Sequence, residues 1–121
     1  MAVVPDNPNN RSVATILLRD SGVVAYPTDT VYGLGAVVYD QEAVSALFTM
    51  KGRDRSQGVP VLIAAESQLA EVAADLSDAA LALAARFWPG ALTLVVRRHA
   101  DLPPLVAGGG DTVAVRLPDH P

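Results

Sequence analysis

Val23-Val24-Ala25-Tyr26-Pro27-Thr28-Asp29-Thr30-Val31-Tyr32-Gly33-Leu34-Gly35 sets two short apolar runs on either side of a polar turn. Residues 23–26 are long enough for a buried strand, and Pro27 stops it. After Gly33, residues 34–39 read as a second strand. Upstream, Val13, Ile16 and Leu17 fall on one face of a helix spanning 11–20, with Gly22 at the C-terminal cap position. Residues 1–10 hold two prolines and four Asn or Asp and read as a loose lead-in to a domain covering 11–121.

Downstream, Asp40 suits the N-cap of a helix over 41–50, whose stripe is Ala43, Val44, Leu47 and Phe48, and Gly52 ends it. Residues 60–64 read as a third strand. Ser67 and Ser77 are each placed to cap a helix. The second of these, over 78–88, is rich in Ala and Leu and stops at Pro89-Gly90. Residues 91–97 read as a strand, 98–110 as a loop with three consecutive glycines, and 112–117 as a last strand. Helices and strands are therefore interleaved without a fixed repeat, which is an α/β or α+β domain. Pro118-Asp119-His120-Pro121 reads as the approach to another helix, so the expectation is a domain incomplete at the C-terminus.

Composition narrows the classes. The chain has 121 residues, half of them hydrophobic, and a formal net charge of −4. That apolar content supports a core and excludes a disordered chain. No apolar run approaches the ~20 residues of a membrane span. Residues 1–10 lack the basic start and apolar stretch of a signal peptide, and a cytoplasmic location fits. With no cysteine, disulfides and thiolate metal sites are excluded. The acidic balance counts against a non-specific nucleic-acid binder.

Two clusters can carry chemistry. Residues 27–35 hold three side-chain hydroxyls, one carboxylate and two glycines. Such a strand-end turn can hydrogen-bond a small polar ligand, or can simply be a turn. The second cluster is Lys51-Gly52-Arg53-Asp54-Arg55, the densest basic stretch in a chain with one lysine and eight arginines. Lys51 and Arg53 suit a phosphate, while Lys51 equally suits the negative end of its helix. Ser56-Gln57-Gly58 would let this loop close on a ligand. Thr112 and Arg116 lie four apart on one strand and so share a face. An arginine there needs either a bound anion or an internal carboxylate. His99 and His120 have no metal-ligand spacing, and Trp88 reads as a helix-end packing residue.

These segments together resemble the YrdC/Sua5 family of threonylcarbamoyl-AMP synthases. Residues 27–35 are similar to its first motif nearly letter for letter, and Lys51-Gly52-Arg53 resembles its KxR motif. Residues 88–94 resemble WPGPLT, with Ala91 in place of the second proline, and residues 111–121 resemble DTVAVRxPxHP. The resemblance implies a twisted mixed sheet flanked by helices. It implies synthesis of threonylcarbamoyl-AMP and pyrophosphate from L-threonine, bicarbonate and ATP, for threonylcarbamoyl modification of tRNA. Thr30 and Arg116 would then bind threonine, Arg116 at its carboxylate. Lys51, Arg53 and Thr112 would hold ATP, and Mg2+ would bridge phosphate oxygens without protein side-chain ligands. No protein nucleophile is needed, because adenylation requires positioning and fixed positive charge. The family's SxN motif lies downstream of the RxPxH segment, beyond Pro121. A histidine common at the end of the third strand is replaced by Ala64. Alternatives of the same fold are a double-stranded RNA or tRNA-binding module without catalysis, an accessory domain for carbamoyl transfer, and an inactive half-domain. The threonylcarbamoyl-transfer machinery would be a downstream partner.

Overall fold

The computed structural model describes residues 2–120. Helix α1 spans Pro8–Arg19, strand β1 Val24–Tyr26, β2 Gly33–Gly35, and helix α2 Gln41–Lys51. Strand β3 is Val61–Leu62, and a 3-10 turn at Glu66–Gln68 leads into the short helix α3, Leu69–Val72. Strand β4 is Ala73–Ala74, helix α4 Asp78–Phe87, β5 Leu94–Arg98 and β6 Thr112–Arg116, with a second 3-10 turn at Pro104–Ala107.

The strands form two sheets. β1 and β2 make an antiparallel ribbon, with Ala25 opposite Leu34. The other sheet has the order β3-β6-β5-β4. Its β3–β6 pair is parallel and the other two pairs are antiparallel, so the fold is a mixed sheet with helices around it. β6 is central. Its alternation turns Val113 and Val115 into the core and leaves Thr112, Ala114 and Arg116 on the other face. Phe48, Leu69, Leu102, Val106 and Val115 are the largest fully buried side chains.

Several boundaries depart from the pattern-based expectation, each for a local reason. α1 begins at Pro8, inside the expected lead-in. The Asn7 side chain caps it by accepting from the Asn10 amide at 2.9 Å, and a proline in the first turn forfeits no helical hydrogen bond. The apolar face of α1 is not covered among the described residues: Val13, Ile16 and Leu17 are 49–65% exposed. The second strand stops at Gly35, because the chain turns where the Asp40 amide donates to Val37. Ser67 caps no helix. The longer Gln68 side chain reaches back instead and accepts from the Ala64 and Ala65 amides at 2.7 and 3.2 Å. The strand expected from residue 91 starts at Leu94, since the Trp88 indole donates to the Leu92 carbonyl and holds 88–92 as a turn. Arg98 belongs to that strand, and β4, too short for a visible alternation, pairs with its end. By contrast, the Asp40, Gly52 and Ser77 caps and the buried Trp88 stand as the sequence indicates. No helix is long and apolar enough to cross a membrane among the described residues.

Candidate functional site

The loop between β1 and β2 is built by its own hydroxyls. The Thr28 hydroxyl donates to the Val31 carbonyl at 2.7 Å and accepts from the Thr30 and Val31 amides. This side-chain turn satisfies backbone groups that no strand partner reaches. It also fixes where Asp29 and Thr30 stand.

Arg116, at the end of β6, is 8% exposed. A buried guanidinium needs several partners to offset its lost hydration. Its Nη1 donates to Asp29 Oδ1 at 2.6 Å and to the Gly90 carbonyl at 3.0 Å. Its Nη2 donates to the Thr30 hydroxyl at 3.3 Å. The second oxygen of Asp29 accepts from the Asp119 amide at 2.9 Å. That amide, and then the Arg116 guanidinium, hold the Asp29 carboxyl below the usual carboxylate range. Tyr26 lies close by. Burial raises its phenol above the ordinary value, and the Arg116 charge opposes the rise.

Thr30 and Arg116 are therefore brought together across 86 positions of chain. Of the two alternatives weighed for Arg116, the internal carboxylate is the one seen, and it is Asp29. An internal carboxylate takes one edge of the guanidinium, and the other edge meets a hydroxyl on an exposed loop. Asp29 was visible in the motif as the carboxylate of a polar turn, not as the partner of Arg116. No spacing rule links it to a strand 87 positions away.

The basic cluster is organised differently. Gly52 adopts φ +59° and closes α2, which lets the Arg53 amide reach the Phe48 carbonyl. Arg53 folds back on its own loop, with Nη2 2.7 Å from the Gly58 carbonyl and Nε 3.3 Å from that of Gln57. Asp54 accepts from the amide and hydroxyl of Ser56, which keep its carboxyl below the usual range. Arg55 donates to Ser45 Oγ on α2. Lys51 is exposed at the last turn of α2. Thr112, also exposed, begins β6 opposite Arg97, four residues from Arg116. Ala64 offers only its backbone, bonded to Gln68. Among the described residues no group of three or more His, Asp or Glu side chains gathers to hold a metal.

Residues 16–121 match the Sua5/YciO/YrdC family model, described as "Telomere recombination". The chain belongs to this family. Among its relatives, the threonylcarbamoyl-AMP synthase of Pyrococcus abyssi is 44% identical over 108 residues, covering 89% of this chain and 32% of that protein. The Bacillus subtilis enzyme of the same name is 47% identical over 109 residues, with the same two coverages. The chain thus spans about a third of the length of these two relatives. Among solved structures, that of P. abyssi Sua5 complexed with L-threonine superposes with a TM-score of 0.92 at 41% identity, covering 97% of this chain and 34% of that one. Escherichia coli YciO gives 0.81 at 25% identity, with coverages of 97% and 58%. The YrdC-like fold implied by the motifs is therefore present.

Proposed function

We propose that this Sua5/YciO/YrdC chain carries the threonine-binding and nucleotide-binding residues of a threonylcarbamoyl-AMP synthase. The observation that carries the reading is the convergence of Arg116 Nη2 and the Thr30 hydroxyl at 3.3 Å. A guanidinium edge beside a hydroxyl on an exposed loop suits the carboxylate of a small amino acid. Similarity to proteins named threonylcarbamoyl-AMP synthase, and to a structure complexed with L-threonine, supports the same ligand.

In this reading, the threonine amine and bicarbonate condense to a carbamate with loss of water. A carbamate oxygen then attacks the α-phosphorus of ATP, and the bond to pyrophosphate breaks. Lys51 and Arg53 supply positive charge to the triphosphate, and Thr112 adds a hydroxyl on the face of β6 that bears Arg116. Mg2+ would enter with ATP and would neutralise phosphate charge there, without a ligand from a protein side chain. The protein's contribution is positioning and charge, and it needs no nucleophile. The product would serve threonylcarbamoylation of tRNA in the cytoplasm.

Pyrophosphate release from ATP tests the proposal. Release by this chain that requires both threonine and bicarbonate is the expected result. ATP turnover indifferent to both would overturn it. Failure to bind threonine would remove the assignment of Thr30 and Arg116.

A further inference from the structure

A flexible arginine recognises a carboxylate well only if its planar fork is already aimed. Arg116 has two acceptors on Nη1, Asp29 Oδ1 at 2.6 Å and the Gly90 carbonyl at 3.0 Å. Those contacts use both N–H groups of that nitrogen. Among the described residues, Nη2 has a single and longer contact, to Thr30. The side chains of Arg116 and Asp29 are only 10% and 16% exposed, so the contact between them is largely shielded from water. Asp29 also takes the Asp119 amide, and it thereby ties the β1–β2 loop both to β6 and to the segment after it. Thr30 is its neighbour in the chain, so the position of Asp29 sets the hydroxyl as well as the guanidinium.

We propose that Asp29 is the positioning residue of the carboxylate site, holding the Nη1 edge of Arg116 so that Nη2 beside the Thr30 hydroxyl is the edge offered to the ligand. The inference rests on the functional reading above. It has a clear rival. Asp29 is itself a carboxylate on the same guanidinium, and it could act as a competitor that the ligand must displace. The geometry favours positioning, because Asp29 occupies the nitrogen that the Gly90 carbonyl also holds, leaving the Thr30-facing nitrogen to the ligand.

The test compares the full 121-residue chain with Asp29→Asn and Asp29→Glu, titrating L-threonine and ATP separately by calorimetry. Guanidinium 15N NMR of Arg116 is recorded without ligand. Positioning predicts threonine affinity weakened roughly tenfold in Asp29→Asn, the scale of one charge-assisted hydrogen bond, with ATP affinity within about twofold. It predicts distinct, slowly rotating Nη signals in the unaltered chain that average in the variant. Asp29→Glu keeps the charge but displaces it by a methylene, so threonine affinity should fall there too. That variant decides the matter if Asp29→Asn does not fold. Tighter threonine binding in Asp29→Asn, or unchanged affinity in both variants, overturns the inference. If the unaltered chain binds no threonine, the functional reading fails by itself. The guanidinium spectra then decide the positioning role, and identical spectra overturn it.

Discussion

The guanidinium of Arg53 donates to the Gly58 carbonyl at 2.7 Å, closing the loop that follows α2 on itself. Lys51, two positions earlier, projects from the helix end and is exposed. The two cations of one motif therefore differ in what they contribute to the fold. Lys51→Ala should leave the melting temperature unchanged, since an isolated exposed charge adds little to stability. Arg53→Ala should lose about 1 kcal/mol, the usual worth of a carbonyl hydrogen bond. Both should weaken ATP binding. Thermal melts and ATP titrations on the two variants check this, and equal melting losses would contradict it.

Gly108 packs against the same loop. It sits at φ +62°, and a Cβ added there would lie 2.5 Å from the Ser56 carbonyl oxygen. Gly108→Ala therefore meets both backbone strain and a clash that no side-chain rotation relieves. A loss of about 1–2 kcal/mol is expected from such positions. Amide chemical shifts of residues 54–58 should move with it. Gly109, with open space at its Cβ position, should tolerate alanine better despite φ +82°.

Thr30→Val removes the hydroxyl beside Arg116 and preserves the branched shape. The contact is long at 3.3 Å, and Thr28 loses only its 3.2 Å contact with the Thr30 hydroxyl while keeping the bonds to the Val31 carbonyl and the Thr30 and Val31 amides, so the melting temperature should move little. Threonine affinity should fall several-fold, on the scale of ~1 kcal/mol for one hydrogen bond. Thr28→Val, which dismantles the turn itself, should lower stability as well. Calorimetric titration beside a melt separates the two variants.

Acid should destabilise the chain through particular carboxylates. Asp40 is held below the usual carboxylate range, first by the Ser21 hydroxyl and then by the Ala43 amide at the start of α2. Asp29 is lowered by the Asp119 amide and by Arg116. A lowered folded-state value means that the unfolded chain takes up the proton first. The stabilisation is complete above the unfolded aspartate value of about 3.9 and is lost as pH falls below it toward the folded values. Denaturant melts from pH 6 to pH 2.5 should show a steep fall below about pH 4. The fall should be shallower in Asp40→Asn and in Asp29→Asn. Parallel curves for all three proteins would remove these two groups as the cause.

The elements that were legible in the sequence are those whose cause is local. Asp40 and Ser77 accept from amides three residues ahead, and Gly52 closes α2 in the left-handed conformation. These features repeat wherever such residues meet such a pattern. What was misplaced depended on reach. Gln68 took the capping role expected of Ser67 because its longer amide spans back to Ala64. β4 is a strand only because β5 lies beside it. The face of Val13, Ile16 and Leu17 has helical spacing, yet spacing says nothing of whether a partner covers it.

The site divides in the same way. Residue types and order by themselves determined the mixed α/β class, the cysteine-free chemistry, and the family, because motifs are runs of neighbours and neighbours are given by the chain. Tertiary structure alone decided that the Asp29 carboxylate is the partner of Arg116, that Thr30 meets its other nitrogen, and that Arg53 is spent partly on Gln57 and Gly58. A buried guanidinium must find acceptors, but which ones it finds is settled by strands and loops meeting in space, far apart along the chain.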